Sequence, residues 1–103
     1  LKFRKLLKVS DVPVGNSKVV YINQIQFLVL NRAGNFFVVE NSCPHKGATL
    51  NEGPLTDTTL TCPLHGWVWQ LSDGSNTVDP TKTLLTLPVE IRGEELWVCE
   101  PEF

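Results

Sequence analysis

The chain has 103 residues, 19% of them charged, and its 11 Asp and Glu against 9 Lys and Arg leave a formal net charge of −2. That length holds one small domain, 1–103, with a modest core and no room for a separate catalytic domain. Charges of both signs are interspersed, which excludes a basic nucleic-acid or membrane-surface module. No apolar run approaches the roughly 20 residues of a membrane-spanning helix, and no charged start leads into a signal-like stretch. Three cysteines, an odd number, argue against a disulfide framework and fit a reducing cytoplasm. Leu1 is no initiator and the chain has no Met, so further residues are expected ahead of it.

In chain order, Lys5 to Asp11 has room for a helical turn before Pro13. Strand-like β-branched and aromatic runs follow: Lys18 to Ile22, Ile25 to Leu30, Phe36 to Glu40, Trp67 to Gln70, Pro88 to Ile91 and Leu96 to Cys99. Turns are marked by Val14-Gly15-Asn16, Asn31 to Asn35, Ser72 to Ser75 and Arg92-Gly93-Glu94. No segment sustains a helical period. The pattern predicts an all-β chain of two or three small antiparallel sheets. The stretch from about 41 to 70 lies between strand-rich flanks and reads as a lobe inserted into that β framework.

This lobe carries Cys43-Pro44-His45 and Cys62-Pro63-Leu64-His65, separated by sixteen residues, and so uses both histidines of the chain and two of its three cysteines. Two thiolates and two imidazoles on short loops suit a metal centre with soft and borderline ligands. Gly47, Gly53 and Gly66 let the backbone curl around such a centre, and Pro44 and Pro63 stiffen it. A structural zinc site takes the same ligands, although its cysteines and its histidines usually come paired like with like, whereas here each loop supplies one of each. A Cys-His nucleophilic pair leaves the second pair unexplained.

The two boxes extend beyond the ligands, from Cys43 through Ala48-Thr49-Leu50-Asn51-Glu52-Gly53 and from Cys62 through Gly66-Trp67-Val68-Trp69-Gln70-Leu71-Ser72-Asp73-Gly74. In this they resemble the Rieske family. The resemblance implies a Rieske-like fold with a cluster-binding lobe and one 2Fe-2S cluster. Cys43 and Cys62 would hold its inner iron, and His45 and His65 its outer, redox-active iron.

High-potential members of that family join the loops by a disulfide at positions where this chain has Ala48 and Leu64. They also place hydroxyl donors where it has Trp67 and Trp69. Without those donors the reduced state is less stabilised, so the potential is expected near the lower end of the Rieske range, roughly −150 mV. The resemblance therefore implies a soluble, low-potential ferredoxin, not catalytic alone. It would pass single electrons from a flavin-dependent ferredoxin reductase to a terminal oxygenase or monooxygenase. It is expected to act as a monomer, with no nucleic-acid or membrane partner. The boxes also resemble the small Rieske-like subunit of an assimilatory nitrite reductase, the alternative reading.

Outside the boxes, Cys99 is expected to be a buried structural thiol, and Trp97 a core residue. Trp67 and Trp69 share one strand face. Lys46 reads as a solvated charge, and Pro44, Pro63, Leu64 and Trp67 as an apolar rim suited to brief docking.

Overall fold

A computed structural model describes residues 2–44, 49–51, 53–64, 66–76 and 78–100. Nine strands appear among them: β1 (Phe3–Lys8), β2 (Ser17–Ile22), β3 (Ile25–Arg32), β4 (Asn35–Glu40), β5 (Thr59–Thr61), β6 (Val68–Gln70), β7 (Thr86–Leu87), β8 (Val89–Arg92) and β9 (Glu95–Cys99). Every pairing is antiparallel. The strands form a four-stranded sheet in the order β2-β3-β4-β7, a three-stranded sheet β1-β9-β8 and the two-stranded β5-β6. The all-β expectation of two or three small antiparallel sheets holds.

The apolar run of β3 explains the layering. Its residues alternate between two cores instead of between core and water, as a strand covered on both faces requires. Phe27 and Val29 join Phe36 and Val38 of β4 in a cluster with Leu7, Leu96 and Val98 from the three-stranded sheet. Leu28, Leu30 and Val39 point the other way, into a second cluster with Cys43, Leu50, Leu60, Cys62, Trp69, Leu71 and Leu84. The four-stranded sheet is thus the middle layer, and each fully buried aliphatic or Phe side chain in these cores contributes about 1.5–3 kcal/mol.

Two tight hairpins set the register of that layer. Asn23 and Gln24 both take positive φ (51° and 68°), as do Ala33 and Gly34 (54° and 88°). Two-residue turns of this hand match the strand twist and hold Ile22 opposite Ile25 and Arg32 opposite Asn35. At the end of β3, the largely buried Arg32 donates to the carbonyls of Gly15 (3.2 Å) and Thr56 (3.1 Å), tying the segment before β5 to the middle sheet.

Four local expectations need correction or extension. The chain start forms β1 first, and only Val9–Asp11 makes a single 3-10 turn. β1 lacks alternation because it pairs with β9 across a register irregularity between Lys5 and Leu7. The short β5 and β7 carry too few residues to show a period. Trp97 is only half-buried: its ring lies under the Arg92 guanidinium, 4.2 Å away, and its indole N–H donates to Glu95 at 3.3 Å. Cys99, by contrast, is buried on β9 as expected. Among the described residues no helix is long and apolar enough to cross a membrane.

Candidate metal centre

Cys62 sits at the turn end of the β5-β6 hairpin. Thr59, Leu60 and Thr61 pair with Gln70, Trp69 and Val68, and the buried Leu60–Trp69 pair anchors the hairpin in the lobe core. One rung further, the Cys62 N–H donates to the Trp67 carbonyl (2.8 Å), and the Cys62 carbonyl accepts from the Gly66 N–H (3.1 Å). The tip therefore spans only the residues between them, and Gly66 turns the chain back at φ +71°, a conformation that suits a residue without a β-carbon. Pro63 and Leu64 stand in solvent on this tip, Leu64 at 66% exposure.

Cys43 follows the end of β4. The Asn41 N–H donates to the Gln26 carbonyl (3.0 Å), adding one rung to the β3-β4 ladder before the chain leaves the sheet. The loop returns at Leu50, whose N–H donates to the Asn41 side chain and whose own side chain enters the lobe core. The Gly53 N–H then donates back to the Leu50 carbonyl (3.0 Å). Gly53 packs against the backbone of Thr61, immediately before Cys62, so the two loops touch.

The structure thus brings Cys43 and Cys62, each about 1% exposed, into one core on the face of the middle sheet opposite the three-stranded sheet. His45 and His65 lie outside the described residues, as do Lys46, Gly47 and Ala48. Trp67 and Trp69 share a face as predicted, their ring centroids 6.0 Å apart. Of the expected rim, Leu64 and Pro63 are exposed, while Pro44 and Trp67 are half-buried.

This site fits a sulfur-rich cluster on two observations. Two soft donors on separate loops converge within one apolar core. Beside them, the fully buried Trp69 indole N–H has no hydrogen-bond partner among the described residues. An unmet buried donor costs about 1–3 kcal/mol, and a group bearing electron-rich sulfurs would supply an acceptor.

Asn41 is the residue that sequence reading missed, because an amide at a strand end carries no motif of its own. Beyond β6, Asp73 closes the turn from Gln70 to Ser75. Its carboxylate accepts from the Ser75 N–H (2.9 Å), and that bond lowers its pKa below the ordinary carboxylate value.

Comparison with known proteins agrees with this geometry. Residues 2–88 match the family model of the Rieske [2Fe-2S] domain. The chain belongs to that family and carries a Rieske [2Fe-2S] cluster. It is 32% identical, over 96 residues, to the 3-phenylpropionate/cinnamic acid dioxygenase ferredoxin subunit of Shigella boydii, covering 91% of this chain and 90% of that one. Sphingomonas yanoikuyae B1 ferredoxin superposes with a TM-score of 0.82 at 28% identity, over 97% of this chain and all of that one. A chain in the complex of reduced oxygenase and oxidised ferredoxin of carbazole 1,9a-dioxygenase gives a TM-score of 0.82 at 26% identity, covering 98% and 96% of the two chains.

Proposed function

We propose that this chain is a low-potential Rieske ferredoxin that carries single electrons from a flavin-dependent reductase to a terminal oxygenase. The observation that carries the reading is the similarity to dioxygenase ferredoxin subunits across nine-tenths of both chains. It favours this function over a nitrite reductase subunit.

In this reading Cys43 and Cys62 hold the inner iron, and His45 and His65 hold the outer one. The bound cluster supplies a one-electron redox step. The protein's own residues set where and how readily that step occurs. Two thiolates and two neutral imidazoles would bring less negative charge to the cluster than four thiolates, so an added electron would meet less repulsion there than in an all-cysteine site. The largely apolar core around Cys43 and Cys62 would solvate that added charge poorly, which favours a potential in the low part of the Rieske range.

The exposed Pro63 and Leu64, adjoining His65 in sequence, offer a small apolar contact for a transient partner. We further propose a single domain, 1–103, with the lobe at about 41–70 inserted in the framework. It acts as a cytoplasmic monomer and does no catalysis alone.

The test is reconstitution. Purified protein should contain two irons and two acid-labile sulfides, give a Rieske-type EPR signal when reduced, and reoxidise on mixing with a terminal oxygenase after reduction through a flavin reductase. Stoichiometric zinc without sulfide rejects the cluster. Stable copurification with a sirohaem subunit, without turnover by an oxygenase, rejects the carrier role.

A further inference from the structure

Among the described residues only two polar side chains are buried, Asn31 and Asn41. Asn31 organises a turn, donating to the Val12 carbonyl (2.8 Å) and accepting from the Gly34 N–H (3.1 Å). Asn41 does something different. Its Oδ1 accepts from the N–H groups of Leu50 (2.8 Å) and Asn51 (2.9 Å). Its Nδ2 donates to Oε1 of Gln26 (2.7 Å) and Oδ1 of Asn51 (3.1 Å). Both lone pairs and both donors of the amide are engaged, the full capacity of the group. Gln26 in turn donates to the Tyr21 hydroxyl (3.1 Å), so the relay starts on β2, crosses β3 and ends on the loop.

The chain segment closed by the Asn41–Leu50 bond contains Cys43 and, in sequence, His45. We infer that Asn41 is a positioning residue for the cluster, its amide oxygen pinning the far end of the first ligand loop to the framework sheet. The inference rests on the proposed ligand set.

Physical grounds are the saturation and burial of this amide. A buried amide gains nothing from the hydrophobic effect and is tolerated only when its partners are all present. A fully satisfied one fixes a single arrangement of whatever it joins. What Asn41 joins are the two ends of a ligand loop, so protein-to-protein hydrogen bonds tie the loop's return to its start. Such outer hydrogen bonds hold ligands in place and tune the metal they serve.

Three variants test this on the reconstituted holoprotein: Asn41→Leu, which fills the volume without an acceptor; Asn41→Asp, which keeps the acceptor oxygens; and Val98→Ala in the other core. The measurements are loss of visible cluster absorption under excess iron chelator and the EPR g values of the reduced cluster. The Leu variant should lose its cluster about tenfold faster than wild type, the scale of outer-sphere effects on metal retention, and show shifted or broadened g values. The Asp variant, which keeps the acceptor oxygens but loses the donors to Gln26 and Asn51, should fall between wild type and Leu on both, and Val98→Ala should lower global stability without moving the g values. A Leu variant that matches wild type overturns the inference, as does an Asp variant that decays as fast as Leu. Asn41→Ser, its oxygen one bond closer to the backbone, replaces the Leu variant if that does not fold. Wild-type protein lacking iron and sulfide would instead reject the cluster reading itself.

Discussion

Gly53 lies so close to the Thr61 carbonyl that a β-carbon on it would overlap that oxygen and crowd the Pro63 Cδ at 3.2 Å. The φ of Gly53 is not in the left-handed region, so space, not backbone freedom, demands glycine there. Gly34 is the opposite case, with φ +88° and nothing within 4 Å of the place a methyl group would take. Gly53→Ala should therefore pry the two ligand loops apart, costing about 1–3 kcal/mol by overpacking and reducing cluster content. Gly34→Ala should cost about 1–2 kcal/mol of conformational strain and leave cluster content unchanged. Urea unfolding and iron analysis of both variants separate the two effects.

Cysteine replacements should divide cleanly by core. Cys43→Ala or Cys62→Ala removes a donor from the lobe core and should abolish cluster assembly, since ligand binding and local folding are coupled. Cys99 lies on β9, its thiol 3.9 Å from the Glu100 carbonyl, a weak contact. Cys99→Ala should retain full iron and sulfide at a cost of about 1 kcal/mol.

Trp69→Phe keeps an aromatic ring in the lobe and deletes the indole N–H that lacks a partner among the described residues. If the cluster sulfurs accept that N–H, the reduced state loses a donor and the potential should fall. Protein-film voltammetry reads this directly. An unchanged potential in a folded variant would mean that the N–H does not serve the cluster.

The tip residue Leu64, at 66% exposure, contacts partners in the proposed function and supports nothing inside. Leu64→Glu should leave cluster content and potential unchanged. It should raise the KM for the ferredoxin in oxygenase turnover by about tenfold, equivalent to about 1.4 kcal/mol of contact energy. An equal KM would move the docking surface elsewhere.

Acid sensitivity should come in part from the three-stranded sheet. The Lys5 ammonium, 2.8 Å from Glu95, and the Trp97 indole N–H hold the Glu95 carboxyl below its ordinary value of 4.5. A carboxyl whose folded pKa is depressed adds stability above its unfolded pKa and loses it as pH falls through the folded value. Glu95→Gln should thus flatten the decline in urea midpoint below pH about 4.5, with no change in cluster content at neutral pH.

Much of the molecule was legible in the linear chain. Six of the nine strands announce themselves as β-branched and aromatic runs, and the turns after β3 and β8 by their Gly and Asn, whereas the Asn23-Gln24 turn after β2 carries no glycine and went unmarked. The residues spaced as Cys43-x-His45 and Cys62-x-x-His65 suggest a donor set because ligand chemistry depends on residue type and short spacing, both local properties. What escaped was equally physical. β5 and β7 are two or three residues long and hold their shape through partners distant in sequence.

Chain chemistry by itself determined the class of strands and pointed to a candidate donor set. Only the tertiary structure decided that β3 is covered on both faces, with Leu28 and Leu30 turned toward the cysteines and Phe27 and Val29 away from them. Only packing, likewise, made Gly53 a contact point between loops and Asn41 a saturated buried amide. Burial and hydrogen-bond partnership depend on which neighbours the fold brings together, and residue type and spacing alone do not state them.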